Sequence, residues 1–342
     1  MRILAAHPGP AFSVADVFTG WTEAFAQLGC QVARYNLSDR LTFYDSALLE
    51  VGKSASGGTV QLRKALTSGQ ATERAVDGLC SQLYRLRPDV LFVVSAFFYP
   101  AGLLDLARSY GTRVVLLHTE SPYEDQRQAA IAQHADVNLV NDPTNLSRFP
   151  TGTRYVPHAY RPHLHKPGLP VEKLACDLGF VGTGYPSRID FLERMDLAGL
   201  DVLLAGNWQG VGNDSPLRPY LANADDECLD NAQAVDVYRS ARVGLNLYRR
   251  EAETDEQAAG WAMGPREVEL AACGAFFLRD RRGEGDEVLS MLPTFTGPEE
   301  AGDSLRHWLG RDDRGDYAAK AREAIADRTF TNHAAALLRT LD

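Results

Sequence analysis

The chain has 342 residues, of which 45% are hydrophobic and 23% charged. That length suits roughly two domains, and the composition excludes a mainly disordered, collagen-like or disulfide-dense chain. Net charge is −10, all of it in residues 201–342, and no basic stripe stands out, so bulk electrostatic capture of nucleic acid is not favoured.

Residues 2–6 form a short apolar run that predicts a strand, followed by the turn His7-Pro-Gly-Pro10. From Val14 to Leu28 the apolar positions Val14, Val17, Phe18, Trp21, Phe25 and Leu28 fall at helical spacing. Gln31–Tyr35 reads as a second strand, completing a βαβ unit. Val90–Ser95, Arg113–Leu117 and Val137–Val140 are further strands, with a helix over 100–110. Near-continuous apolar strands alternating with helices indicate a parallel sheet covered on both faces.

The segment from Tyr155 to Val171 carries Pro157, Pro162, Pro167 and Pro170 and reads as a connector, its His163 and His165 solvated. The pattern then restarts. Strands are expected at 177–181, 200–204, 243–247 and 275–278, with a helix over 188–195 and a last helix bearing Ala334, Leu337, Leu338 and Leu341. The expected organisation is an N-terminal domain over 1–170, a C-terminal domain over 171–325 and a terminal helix over 326–342 that packs back across the domains. Two parallel-sheet domains leave a cleft, and ligands on such sheets sit at the carboxyl ends of strands.

Several polar residues fall in those loops. Gly182-Thr183-Gly184 follows a strand and precedes a helix, where backbone can approach a diphosphate closely, and Arg188 adds a permanent forked charge. A tight strand–helix turn is the plainer reading of a bare G-x-G. Asn207-Trp208 is placed to touch a nucleotide base. Gly264-Pro265 opens a helix in which Arg266 and Glu269 share a face; the arginine can hold a phosphate and the carboxylate can accept sugar hydroxyls. An ordinary exposed Arg–Glu pair satisfies the same spacing. In the first domain, His118 and Glu120 follow a strand, His7 follows the first strand, and Phe98 and Tyr99 offer ring faces to a sugar or base.

The string Arg266-x-x-Glu269-x-x-Ala272-Cys-Gly-Ala-Phe276, with Leu178-Gly-Phe-Val-Gly-Thr-Gly-Tyr-Pro-Ser-Arg188 before it and 234–247 between, resembles glycosyltransferases of the B-type (GT-B) fold. Within them it is most similar to the CgeB-like group of glycosyl transferases family 1. The resemblance implies an α/β fold of two Rossmann-like domains with parallel sheets facing a cleft. It implies transfer of a sugar from a nucleotide-sugar, UDP- or GDP-linked, to an acceptor that is a protein, small molecule, glycan or modified DNA base, with retention and without a metal. Glu269 takes the ribose-contacting role, and Arg188 offsets the leaving diphosphate. His118 faces the donor sugar or acceptor, Glu120 positions or deprotonates the acceptor, and His7, Phe98 and Tyr99 line the acceptor side. The paired pattern of such enzymes has a first acid in the Trp261-Ala-Met-Gly264 stretch; none is present, so backbone amides of 262–264 are expected to meet the sugar instead. A nucleotide-sugar epimerase of the same fold, or a non-catalytic sugar-nucleotide or glycan-binding module, is the alternative.

The five cysteines have no metal-ligand spacing, and no cofactor is expected beyond the donor substrate. The acidic clusters Asp225-Asp-Glu227 and Glu284–Glu287 read as solvated surface. With no apolar run of spanning length, the expected location is cytoplasmic, without membrane insertion.

Overall fold

The computed structural model describes residues 1–9, 14–52, 61–224, 226–252 and 254–341; Pro10 and Asp225 lie outside them. The chain divides into two compact units, residues 1–141 with 145–155, and residues 142–144 with 156–342.

The first unit runs β1 (Arg2–His7), α1 (Ala15–Gln27), β2 (Gln31–Asn36), α2 (Leu37–Asp45), β3 (Leu48–Gly52), β4 (Gln61–Lys64), α3 (Ser68–Leu86), β5 (Val90–Val94), α4 (Ala101–Ser109), β6 (Arg113–His118), α5 (Asp125–Ala132), β7 (Val137–Val140) and β8 (Arg154–Tyr155). Six strands form a parallel sheet in the order β2-β1-β5-β6-β7-β8. β3 and β4 make a separate antiparallel pair. Every residue of β5 is buried, as befits a strand with helices on both faces. On one face α1 sets Trp21 and Phe25 against Phe92, with ring centroids 5.1 and 5.2 Å away. On the other, α3 lays down Ala71, Ala75, Leu79 and Leu83, a stripe at i, i+4 spacing that begins behind a Thr67–Gln70 capping box.

The second unit runs β9 (Cys176–Val181), α6 (Pro186–Arg194), β10 (Val202–Ala205), α7 (Asn231–Ser240), β11 (Ala241–Asn246), α8 (Asp255–Ala259), α9 (Pro265–Ala272), β12 (Phe277–Asp280), α10 (Gly283–Val288), β13 (Thr294–Phe295), α11 (Pro298–Leu309), α12 (Arg314–Ala324) and α13 (Phe330–Leu341). Its five parallel strands are ordered β10-β9-β11-β12-β13. Leu178, Phe180, Val243, Leu245, Phe277 and Leu278 are buried in the core between sheet and helices.

The proline-bearing connector lies on this second unit. Arg239 of α7 donates to the carbonyls of Leu164 and Lys166 at 3.1 and 2.7 Å, and Tyr160 N–H donates to Arg328 O at 3.0 Å. Those bonds place the break between the units at 155/156, ahead of the 170 boundary suggested by the prolines, and α13 belongs to the second unit. His165 is buried, not solvated, because the connector folds back so that Arg161 N–H donates to its Nδ1 at 3.1 Å.

In each sheet the strand order reverses once, between β1 and β5 in the first and between β9 and β11 in the second. Such switch points open a crevice at the carboxyl ends of the strands.

Candidate functional site

In the second unit, arginines span the switch point. Arg266, in the first turn of α9, donates from Nε to Val181 O at 2.6 Å and from Nη1 to Asn246 Oδ1 at 3.2 Å. It thus joins the ends of β9 and β11, and its guanidinium lies 4.4 Å from the Phe180 ring centroid. Arg188 of α6 repeats the bridge one layer out, from Nε to Leu247 O at 2.9 Å and from Nη1 to Thr183 O at 3.0 Å. Its guanidinium also faces the Tyr185 ring, as does that of Arg249, at 5.1 and 5.3 Å.

The glycines are set by close approach. A Cβ on Gly182 would fall 2.2 Å from Arg266 Nη2, and one on Gly206 would fall 2.5 Å from Gly182 O. Gly206 also has φ +113°, which only glycine holds without strain. Gly184 N–H donates to Asn207 O at 2.7 Å, lacing the loops after β9 and β10 together. Gly184 has no room for a side chain because Trp208 lies beneath it, 2.5 Å from the Cβ position. Trp208 is therefore a core residue, 1% exposed, with its ring edge-on to Phe180; the expected contact with a base is corrected on that ground. Asn207 remains half-buried in the loop, its Oδ1 accepting from Gln209 N–H.

Glu269, one turn after Arg266, is 9% exposed. Tyr238 Oη donates to Oε2 at 3.0 Å and Asn231 Nδ2 to Oε1 at 3.3 Å. Asn231 Nδ2 also lies 3.1 Å from His165 Nε2. The carboxylate is thus oriented by neutral donors from α7.

The loop before α9 departs from expectation. Trp261 and Ala262 N–H both donate to Asp142 Oδ2, at 2.9 and 2.8 Å. Met263 N–H donates to Glu284 Oε2 at 2.7 Å, and Gly264 N–H to Glu267 Oε2 at 2.9 Å. These amides, Gly264 included, already serve the chain's own carboxylates, so they are not open to a sugar in this arrangement. Burial pushes Glu267 up to about 7 even though Tyr248 Oη and Gly264 N–H donate to it. Glu284 is buried and pairs with Arg328 at 2.7 Å, while Asp286 pairs with Arg279 and Arg281. Within 284–287, Glu284 and Asp286 thus belong to an ion-pair network, because arginines of β12, its following loop and the approach to α13 reach them, while Glu287 is exposed as expected.

In the first unit the singled-out residues gather at the ends of β1, β5 and β6, which are neighbours in the sheet. His7 is buried, stacks on Phe18 at 3.8 Å and accepts from Gly9 N–H at 3.1 Å. Tyr99, also buried, donates from Oη to His7 O at 3.0 Å, closing the β1/β5 switch point. Burial raises its phenol and lowers His7 to about 4. His118 is 1% exposed, with Nε2 2.9 Å from Asn138 Oδ1, and desolvation takes it down to about 4. Glu120 is half-buried, and its backbone N–H donates to Gln128 Oε1 at 3.2 Å. Phe98 is 41% exposed. The surface available to a ligand here comes from Phe98 and Glu120 more than from the two histidines.

Residues 188–339 match the glycosyl transferase-like family model. No curated protein matches the chain in sequence. Among solved structures, an alpha-glucosyltransferase in complex with UDP and a 13-mer DNA containing a HMU base is similar, with 12% identity and a TM-score of 0.65 over 100% of this chain and 99% of that one. Trehalose-6-phosphate synthase OtsA gives 12% and 0.65 over 100% and 99%. AviGT4, a glycosyltransferase involved in Avilamycin A biosynthesis, gives 14% and 0.61 over 100% and 97%. The chain has the two-sheet α/β fold of these GT-B glycosyltransferases. The family match falls on the unit that carries Arg188, Arg266 and Glu269, and it begins at Arg188 itself. Among the described residues no helix is long and apolar enough to cross a membrane.

Sequence reasoning passed over Asn246, Tyr238, Asn231 and Asp142. Asn246 had a signal, a polar residue closing an apolar strand. Asp142 had none, since its partners lie 119 and 120 residues away.

Proposed function

We propose that this chain is a glycosyltransferase of the CgeB-like group, which binds a UDP- or GDP-linked sugar at the β9/β11 switch point of its second unit and transfers the sugar to an acceptor held by the first. The observation that carries the reading is the pairing of Arg266, which knits the ends of β9 and β11, with Glu269 one helical turn on. Glu269, already oriented by Tyr238 and Asn231, accepts the ribose hydroxyls. The guanidiniums of Arg188, Arg249 and Arg266 supply fixed positive charge that strengthens its hold on the diphosphate as the glycosidic bond breaks. Three of the similar structures, all of an alpha-glucosyltransferase, hold UDP, which supports a nucleoside-diphosphate leaving group for this chain.

Transfer is proposed to be retaining and independent of metal, the arginines standing where a divalent ion would otherwise neutralise the diphosphate. Glu120, at the end of β6, positions the acceptor hydroxyl, with Phe98 as a ring face beside β5. The test is a panel of UDP- and GDP-sugars incubated in excess EDTA with pooled small-molecule, glycan, peptide and base-modified DNA acceptors. Nucleotide release with transfer of sugar mass to one acceptor is expected. Release that needs magnesium or manganese overturns the metal-free reading. An isomerised donor with no acceptor overturns transfer.

A further inference from the structure

Asp142 is 2% exposed, and its two oxygens are fully engaged. Oδ1 accepts from Thr144 N–H at 2.8 Å and from its hydroxyl; Oδ2 accepts from two successive amides, Trp261 and Ala262. The Arg282 guanidinium stands 3.9 Å from Oδ2 and donates to Ala262 O at 3.1 Å, so one residue's amide and carbonyl are both clamped. The held loop leads straight into α9. Two residues past Gly264 comes Arg266, and three further comes Glu269. A single buried carboxylate from a three-residue segment, 142–144, thereby sets where the donor-side helix begins.

We propose that Asp142 is a positioning residue for donor binding: by capturing the amides of Trp261 and Ala262 it fixes the start of α9 and with it the placement of Arg266 and Glu269. The inference rests on the donor-site reading above. An aspartate suits the task because four donors converge on its two oxygens and an asparagine would turn one of those acceptors into a donor. Hydrogen bonds to a charged acceptor are each worth ~10-fold or more in an equilibrium when lost.

Asp142→Asn tests this in the full chain, with two readouts. Amide hydrogen exchange across 260–265 is expected to quicken by about 10-fold or more, while exchange across 176–181 in β9 stays as in the parent. Donor KM is expected to rise about 10-fold with a smaller change in kcat, because the helix is misplaced and not lost. A role confined to stability would instead reduce the active fraction, lowering apparent kcat at unchanged donor KM, and that result overturns the proposal. Unchanged exchange over 260–265 overturns it too. Should Asp142→Asn fail to fold, Thr144→Val removes one donor to the same carboxylate and is expected to shift exchange and KM in the same direction by about 2- to 3-fold; no shift in either overturns the proposal. If the parent turns over no nucleotide-sugar, the donor-site reading fails, and the exchange readout still decides whether Asp142 holds the loop.

Discussion

Arg188 illustrates how a side chain chosen for its charge can be occupied by structure. Its Nε and Nη1 bind the carbonyls of Leu247 and Thr183, and it is 8% exposed. Removing it leaves two half-sheltered carbonyls short of a donor and unties the β9 loop from β11. Arg188→Ala is expected to destabilise the second unit by about 3 kcal/mol, read as a lower denaturant midpoint. Arg188→Lys is expected to recover little, since one ammonium cannot reach both carbonyls with the fork's geometry. If both variants keep the parent's midpoint yet lose turnover, the arginine acts on the diphosphate and not on the loop. Glu267 teaches the same lesson from the acidic side. It sits between Arg266 and Glu269 in sequence, but its carboxylate turns inward to Gly264 N–H and Tyr248 and caps α9.

At the scale of elements, the tight backbone crossing at Gly182 and Gly206 sets what the loops tolerate. Both glycines have a positive φ, but a methyl at 182 meets the tip of a side chain, whereas one at 206 meets backbone. Gly206→Ala is therefore expected to lower the thermal midpoint more than Gly182→Ala does. Gly182→Ala is expected to raise donor KM by displacing Arg266, a pattern that calorimetry and kinetics on the two variants separate. The longer strands of both sheets were legible because burial on both faces demands unbroken apolar runs, as in Val90–Val94, whereas the two-residue β8 and β13 were not. Helix α3 went unseen although Ala71, Ala75, Leu79 and Leu83 share a stripe, because two of its four buried positions are alanines with little hydrophobic weight. The β3–β4 pair was also unseen, as its strands are short and lie outside the main sheet. Arg266 and Glu269 stood out through helical spacing. Their fixing partners Asn246, Tyr238 and Asn231 did not, because each is brought in by the sheet or by a neighbouring helix. Buried acids such as Asp142 and Glu284 defeat sequence reading for the same reason: an aspartate or glutamate looks solvated until its distant partners are known.

At the scale of the whole molecule, five histidines among the described residues are held below the ordinary value by burial. His7, His118, His158 and His333 go down to about 4 and His165 to about 3. A depressed histidine favours the folded state fully above the unfolded value near 6.5, and that contribution is lost as pH falls through 6.5 toward 4. For the fully buried His118 it amounts to about 3 kcal/mol. Glu267 has the opposite sign: its raised value stabilises the fold below about 4.5 and that contribution fades as pH climbs to about 7. The depressed histidines outnumber the raised acids Glu267 and Asp280, so unfolding free energy is expected to drop from pH 6.5 to 4, and His118→Gln is expected to flatten the first unit's slope by about 1.4 kcal/mol per pH unit. Urea titrations at a series of pH values check both. A flat profile over that range would mean that the histidines are hydrated.

The two switch points are bridged by unlike chemistry, a phenol across β1 and β5 and guanidiniums across β9 and β11. Tyr99 carries no charge, so its bridge is indifferent to dissolved ions, whereas the arginine bridges stand where the diphosphate is proposed to bind. On the proposed reading, small mobile anions compete with the donor and leave the first unit's crevice alone. Concentrated electrolyte is then expected to weaken one substrate's binding selectively, which makes ionic strength a handle for loading the two proposed substrates in a chosen order.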